Sequence, residues 1–442
     1  MVEALKYIKD LDKWQPLVGL KNRDIGDILF LWPPSPYLHH SMFKHFTYFG
    51  ETVEVMSRLG FPISALDCGT KLYARSNIFS RFRKTKYLIM PLELYNARIG
   101  LSLARIYKDL RVDGKVIVYG TAASLIPNYL IRNTAVDFVV PHGNFLLSII
   151  SAINYAETGI ELKDMGQILT KIGGTKKKFG TPYGCLDSNL WGNPLNANVP
   201  LEEYYKFNNG MLEFTVQVGC PWNCTFCSEK ILFRTPTTTY RSIEKVVDII
   251  SHAQESSWKG AYLSATTFTF DREYVLKLCD AIIKRGIKLN LRTDTRIDSV
   301  DEELLSKMAE AGFKKISFGV ETFQNDIQIS IKKPIDLNKI EQVFKTCRAV
   351  GIAPRALLMM GLKGQKAEEI RDSVRILKSW GGEVRIKEYY PIGDILEKDM
   401  KSPEEVEKYL GRFERLDYRA DSIPRMSRNE YMEYLFPEDF IR

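Results

Sequence analysis

The chain reads as an α/β protein with a doubly wound parallel sheet first, a (β/α)6 partial barrel second, and a short α-rich C-terminal extension. Three observations predict this. Short apolar runs alternate with helical stretches over residues 25–157, a second such series spans 210–389, and 442 residues exceed one ordinary core. Ile25 to Trp32 is an apolar run halted by Pro33 and Pro34, as expected of a buried strand stopped by proline. Phe49–Leu59 has helical periodicity and ends at Gly60, a C-cap signal. Pro62–Leu66, Tyr87–Met90, Lys115–Tyr119 and Val136–Val140 read as further strands, with helices over Ala97–Leu110 and Phe145–Glu157. The fourth strand breaks at Gly120–Ser124 and the fifth at Pro141–Gly143. Sheets of this kind bind ligands beyond the carboxyl ends of their strands, at such breaks.

Residues 161–208 carry glycine, proline and asparagine with little periodicity, and are expected to be a linker that closes over something. The second series then begins. Strands are predicted over Leu212–Val218, Gly260–Ala265, Lys288–Thr293, Lys315–Val320, Arg355–Met360 and Glu383–Tyr389. Helices fall between them at Tyr240–Glu255, Arg272–Arg285, Asp301–Ala311, Lys339–Val350 and Ala367–Trp380. The expected divisions are 1–160, 161–208, 209–395 and 396–442. The last is charged and aromatic, with Tyr409, Phe413 and Tyr418 at partly helical spacing, and is expected to dock on the barrel.

Composition narrows the function classes. Hydrophobic residues make up 45% and charged residues 26%, as in globular proteins. The longest apolar runs, such as Leu146–Ile150, fall far short of a membrane span, and Met1–Asp10 holds no signal-like core, so a cytoplasmic protein is expected. Net charge is +8, with basic residues bunched at Arg81–Lys86 and Lys176–Lys178; without an aromatic-interleaved RNA motif this reads as a solvated face rather than a nucleic-acid surface. The cysteines do not form a disulfide framework. Cys68, Cys185, Cys279 and Cys347 are scattered and read as small buried hydrophobes, Cys185 being the most exposed of them.

The remaining cysteines, Cys220, Cys224 and Cys227, form a C-x3-C-x2-C run after a predicted strand. Thiolates at this spacing can hold an iron–sulfur cluster, yet a cubane normally takes four protein ligands, so one iron would stay open. An open position separates reactive metal sites from structural ones. A zinc site would want a fourth Cys or His, and none of His39, His40, His45, His142 and His252 lies near in sequence.

The run, with Phe226 just before its last cysteine, resembles the radical S-adenosylmethionine superfamily. That resemblance implies a [4Fe–4S] cluster on Cys220, Cys224 and Cys227, S-adenosylmethionine on the open iron, and a 5′-deoxyadenosyl radical. It extends along the partial TIM barrel. Thr266 and Thr267 stand where the second strand would support the cofactor's amino group, although the family often has acidic or amide residues there. Arg292 and Arg296 are implied as partners of its carboxylate, and Glu321, in Phe318–Thr322, as a further polar partner. Met359–Gln365 resembles the fifth-strand segment with Lys363 and Gln365 in place of proline and glutamate, and Tyr390–Gly393 the closing loop.

The N-terminal layout is similar to the Rossmann-like cobalamin-binding domain that precedes some radical S-adenosylmethionine barrels. The similarity implies cobalamin contacts from Pro33, Glu93, Gly120, Thr121, Ala122 and Gly143; Thr121 replaces the family's second glycine. The Asp-x-His-x-x-Gly signature of an axial histidine is absent, so no histidine is assigned to cobalt. The implied activity is cobalamin-dependent methyl transfer to an unactivated carbon of a small-molecule or peptide substrate, with a flavodoxin- or ferredoxin-like electron donor. Alternatives are a cyclase, ring-rearranging enzyme, epimerase or dehydrogenase of the same layout, or a non-enzyme sensor whose cluster is regulatory. Oligomeric state and substrate identity are not legible.

Overall fold

A computed structural model describes residues 19–20, 25–33, 49–68, 73, 75–94, 96–133, 135–143, 145–162, 166–172, 175–180, 188–233, 238–389, 402–406 and 408. The expected extension over 396–442 lies outside these residues apart from 402–406 and 408, as do Pro34, His39, His40, His45, Cys185 and the 390–393 loop.

The first sheet is built from β1 (Asp27–Trp32), α1 (Glu51–Arg58), β2 (Ile63–Asp67), α2 (Arg75–Lys84), β3 (Thr85–Pro91), α3 (Ala97–Leu110) and β4 (Lys115–Tyr119). There follow α4 (Thr121–Leu125), α5 (Pro127–Asn133), β5 (Phe138–Val139), α6 (Phe145–Thr158), β6 (Ile168–Ile172) and β7 (Thr175–Phe179). The strand order is β2-β1-β3-β4-β5-β6-β7, the first five being parallel. Both faces are covered, which is why its strands read as unbroken apolar runs. Ile28, Phe30 and Trp32 pack with Val53 and Met56 of α1 and Ile149 of α6, while Leu29 and Leu31 face Leu101 of α3 and Leu130 of α5. The order reverses between β1 and β3, so the ligand crevice of a doubly wound sheet falls at the carboxyl ends of these strands.

Residues 161–208 are more than the expected linker. β6 and β7 extend the first sheet antiparallel at its edge. Buried Ile168, Leu169 and Phe179 hold the hairpin in place, whereas exposed Lys176, Lys177 and Lys178 keep the edge from pairing further. Beyond it, Trp191 and Ala197 enter the first core and Tyr204 of α7 (Leu201–Phe207) enters the second. The segment therefore welds the two cores together.

The second half opens with β8 (Met211–Thr215), β9 (Gln217–Val218), α8 (Glu229–Phe233), β10 (Thr239–Tyr240), α9 (Ile243–Glu255), β11 (Gly260–Ser264), α10 (Arg272–Lys284) and β12 (Asn290–Thr295). It continues with α11 (Glu302–Glu310), β13 (Phe313–Glu321), α12 (Asn325–Ser330), α13 (Leu337–Ala349), β14 (Ala353–Met360), α14 (Ala367–Ser379) and β15 (Glu383–Glu388). A six-stranded sheet runs in the order β15-β14-β13-β12-β11-β8, every neighbouring pair parallel. β8 and β15 are its edges, so the barrel is partial, as expected. Asp271, Asp301 and Asp336 cap α10, α11 and α13, accepting from backbone N–H groups of the first turn. One sheet face buries Leu263, Phe318, Ala356 and Leu358 beneath Val246, Leu278, Leu304, Phe344 and Leu377 of the helices. The register aligns polar residues on the opposite face, in rows such as Glu213–Tyr262–Arg292 and Asp294–Ser317–Arg355. Of the C-terminal tail, Val406 is buried in the core of the first sheet, not against the barrel.

A buried ion pair joins the halves. Glu51 of α1 accepts from Arg241 Nη2 at 2.6 Å, from Thr215 N at 3.0 Å and from Thr215 Oγ1 at 2.7 Å. Arg241 Nη1 also donates to Gly192 O at 3.0 Å, and Tyr204 Oη donates to Asp67 at 2.6 Å. Removing one partner leaves the other charge buried and uncompensated, so Arg241→Met is expected to cost about 3–5 kcal/mol in denaturant unfolding. Burial pushes the Glu51 carboxyl up to about 7, with the Arg241 charge and the Thr215 hydrogen bonds opposing it. A carboxyl with a raised folded pKa binds more protons in the native state; its stabilisation is full below 4.5 and is lost as pH rises through about 7. The stability of the chain relative to Glu51→Gln should therefore fall between about pH 5 and about pH 8, read by denaturation at each pH.

Candidate functional site

The cysteine run lies on a loop closed at its base. β9 and β10 pair antiparallel, Val218 opposite Thr239 and Gln217 opposite Tyr240, and Arg241 N donates to Val216 O at 2.8 Å. Gly219 turns the chain with φ +78. Cys220, Cys224 and Cys227 are half-buried free thiols, and Cys227 N donates to Cys224 O at 3.3 Å. Pro221, Trp222 and Asn223 between them are exposed, so one side of the loop meets solvent. Burial pushes all three thiols up, Cys227 to about 12. Opposing it are the Trp222 backbone and the Thr267 hydroxyl at Cys220, and the Lys333 and Arg296 charges at Cys224. Cys224 and Cys227 each feel the charge of Cys220, so the thiols are neighbours. Among the described residues no three Cys, His, Asp or Glu side chains converge on a single metal ion.

The adjoining strand ends supply the rest. Buried Gln217 ties the loop to the end of β11: its Nε2 donates to Gly219 O at 2.8 Å, and its Oε1 accepts from Thr266 N at 2.7 Å and Thr267 N at 3.1 Å. Thr266 Oγ1 donates to Gly219 O at 2.9 Å and also reaches Gln217 Oε1 at 3.0 Å. Both threonines expected at a cofactor thus brace the cysteine loop here. Arg296, after β12, forms a two-pronged pair with Asp298 at 2.8 and 2.6 Å, and its guanidinium stacks 4.1 Å from the Trp222 ring centroid. Glu321, ending β13, pairs with Lys333 at 2.7 Å. Phe226 packs against the small cluster of Ile327, Ile331, Leu362 and Tyr389.

Arg292 stands apart from this group. It lies four residues before Arg296, roughly 13 Å along an extended strand. Its surroundings are Tyr262, Glu213, Arg355 and Asp294 on the barrel's polar face, with the guanidinium 5.5 Å from the Tyr262 ring centroid. The structure therefore gathers Cys220, Cys224, Phe226, Cys227, Thr266, Thr267, Arg296 and Glu321, but not Arg292.

The N-terminal candidates share the other rim. Pro33 follows β1, Glu93 follows β3, Gly120, Thr121 and Ala122 follow β4, and Gly143 lies beyond β5. Gly120 has φ +97, and a Cβ there would meet Leu92 O at 2.9 Å and Glu93 Oε1 at 3.2 Å. Ala122 N donates to Leu92 O at 2.8 Å, which fixes the β4 loop against the β3 loop. Gly143 N donates to Leu232 O at 2.8 Å, and His142 Nδ1 lies 3.0 Å from Ile231 O. Both partners are on α8, immediately after the cysteine loop, so the two strand-end rims are bonded to each other.

Gln217, Trp222, Asp298 and Lys333 were missed from the sequence. A glutamine between two valines, three residues before the first cysteine, was the available signal for the first; the others take their roles from tertiary contacts. Gln217→Leu removes the shared acceptor of Thr266 and Thr267, so a loss of about 1–3 kcal/mol is expected in denaturant unfolding of the iron-free chain. The same variant should retain less iron after reconstitution, measured as iron per chain.

Comparison with known proteins places these features. The model of the radical SAM superfamily matches residues 214–377. An uncharacterised methyltransferase of Pyrococcus horikoshii is 22% identical over 280 residues, covering 63% of this chain and 60% of that protein. Thus the chain spans less than two thirds of that relative. The radical S-adenosylmethionine methyltransferase TsrM from Kitasatospora setae, solved with cobalamin and a [4Fe–4S] cluster bound, superposes with a TM-score of 0.66 at 14% identity, covering 83% of this chain and 77% of that one. The cobalamin-dependent S-adenosylmethionine radical enzyme OxsB, solved with aqua-cobalamin and S-adenosylmethionine, gives 0.64 at 14% identity, covering 87% and 56%. At such identity the likeness is one of fold, and it extends across both sheets. Residues 214–377, which carry the cysteine loop, therefore match the radical SAM superfamily as a domain of this chain.

Proposed function

We propose that this chain is a cobalamin-dependent radical SAM enzyme, a methyltransferase acting on an unactivated carbon. The observation that carries the reading is the bonding of the two rims through Gly143, His142 and α8, with the cysteine loop on one side and the β1, β3 and β4 loops on the other. Cys220, Cys224 and Cys227 would hold the cluster, since they are the neighbouring free thiols of one loop with cations beside them. Pro33, Glu93 and the Gly120–Ala122 turn would line the corrinoid, because they sit together beyond the carboxyl ends of the strands beside the point where the strand order reverses. When bound, the cluster with S-adenosylmethionine supplies a 5′-deoxyadenosyl radical, and the corrinoid supplies the methyl group.

The chain's own work is placement and enclosure. Gln217, Thr266 and Thr267 hold the cysteine loop's entry, and Arg296, locked by Asp298, presents fixed positive charge behind Trp222. Arg292, Tyr262, Asp294 and Arg355 give the barrel a polar inner wall, suited to orienting a small molecule or peptide with polar groups. Exposure of Pro221–Asn223 leaves one flank for an external one-electron donor of the flavodoxin or ferredoxin kind. Among the described residues no helix is long and apolar enough to cross a membrane.

The test is reconstitution of the full chain with iron, sulfide and hydroxocobalamin. It should bind a stoichiometric corrinoid and release 5′-deoxyadenosine and S-adenosylhomocysteine together. Cys224→Ala should abolish deoxyadenosine while the circular dichroism stays native. No corrinoid at saturation, or deoxyadenosine without S-adenosylhomocysteine, would sink the methyl-transfer reading; full activity of the cysteine variant would sink the radical one.

A further inference from the structure

Glu321 holds a backbone conformation that side chains with a Cβ avoid, φ +64 at the carboxyl end of β13. The β13–β14 ladder slips just before it: Gly319 lies opposite Leu357, yet Glu321 lies opposite Leu358, so Val320 is an extra residue. Bulges and left-handed non-glycine residues persist where surrounding structure over-determines them. Here the determinant is Lys333. Its Nζ lies 2.7 Å from Glu321 Oε1, with both side chains under a tenth exposed.

The lysine is itself built into place. Lys332 has φ +56, Lys333 N donates to Gln328 O at 2.9 Å, and Gln328 bridges Thr322 O at 2.7 Å and Ile335 N at 3.0 Å. Gly319 leaves the space, since a Cβ there would lie 2.3 Å from the ammonium. From this position Nζ sits 5.8 Å from the Phe226 ring centroid, and the same turn accepts from the cysteine loop, Thr225 N to Ile331 O at 3.1 Å. The lysine thus lies against Phe226, immediately before Cys227, and its own turn holds Thr225.

We propose that Lys333 is an electrostatic positioning residue: its buried ammonium, held by Glu321 against the cysteine loop, sets how readily the loop's iron–sulfur cluster accepts an electron. The inference rests on the cluster assigned above. Reduction adds one negative charge, which a nearby fixed cation favours and a fixed carboxylate disfavours, strongly where water is excluded. The pair therefore makes opposite contributions. Removing the lysine charge makes the cluster harder to reduce; removing the glutamate charge makes it easier. A purely structural pair would behave otherwise, because either substitution breaks the same contact and would move the cluster the same way.

Lys333→Met and Glu321→Gln decide between these. Each full-length variant is reconstituted with iron and sulfide, freed of S-adenosylmethionine, and titrated by electron paramagnetic resonance at defined potentials. The expected result is a reduced-to-oxidised ratio about tenfold lower in Lys333→Met, equivalent to ~59 mV for one electron, and a higher ratio in Glu321→Gln. Shifts of the same sign, or no shift in either, overturn the proposal. Should Lys333→Met hold no iron, Glu321→Gln decides alone: a rise supports the lysine's role, and no change or a fall overturns it. Iron analysis of the unsubstituted chain comes first, and a chain binding no iron at its three cysteines refutes the cluster assignment itself, and this inference with it.

Discussion

The contact between Glu51 and Arg241, with 0% and 1% side-chain exposure, is the constraint on which the rest of the arrangement depends. Residues Thr215 and Arg241 bracket the cysteine loop, and Glu51 from the first sheet holds both of them. The loop's base is therefore fixed to the N-terminal sheet, and not only to its own barrel. Arg241 reaches the same point through Gly192, where a Cβ would lie 1.7 Å from Glu54 Oε2, so a side chain there would displace the Glu54 carboxylate. Burying two charges is costly, and apolar packing of the same volume often stabilises a protein as well or better. What the pair adds is direction. Its charge-assisted hydrogen bonds have a defined geometry, and they orient one sheet's strand ends toward the other's.

Much of the fold was legible because both sheets follow simple periodicities. Continuous apolar runs in β1, β3 and β4 announced strands buried on two faces, and Gly60 ended α1 with the positive φ that its position suggested. The failures have equally physical causes. In the β6–β7 hairpin, lysines at 176, 177 and 178 conceal a strand whose buried anchors are only Ile168, Leu169 and Phe179. α2 was passed over because Arg81, Arg83 and Lys84 crowd its last turn and dilute its apolar stripe. The tail was expected on the barrel, but Val406 is buried with Leu29 and Leu31 instead, a choice that depends on which sheet presents a matching face.

At the site, spacing disclosed the cysteines but not their supports. A C-x3-C-x2-C run is a local pattern, whereas Gln217 matters because two threonine N–H groups just beyond β11, 49–50 residues away, need one acceptor. Arg296 was read as a carboxylate partner from its place at a strand end, yet in this structure Asp298, two residues on, occupies both prongs of its fork. Arg292 looked equivalent to Arg296 on the same strand. Its place farther down β12 puts it instead among the polar groups of the barrel wall. Lys333 carried no motif, and its burial follows from a left-handed turn and from the empty space at Gly319.

These contacts give the cysteine loop two unlike surroundings. Beneath it, Lys333 and Arg296 are fixed cations with assigned carboxylates, each also set against an aromatic ring of the loop, Phe226 and Trp222. Above Trp222 the chain is open to solvent, with the indole 43% exposed. The charge that a thiolate-bound group brings would thus be met from the protein side, where dipoles and ions cannot rearrange, and not from the solvent side, where water screens it. The same division recurs in the sheet: helices cover its apolar face, while Tyr262 donates to Asp294 at 2.5 Å on the other. A reaction placed at these strand ends would be bounded by polar groups that the apolar face holds rigid, which makes the outer core as much a part of the site as the residues lining it.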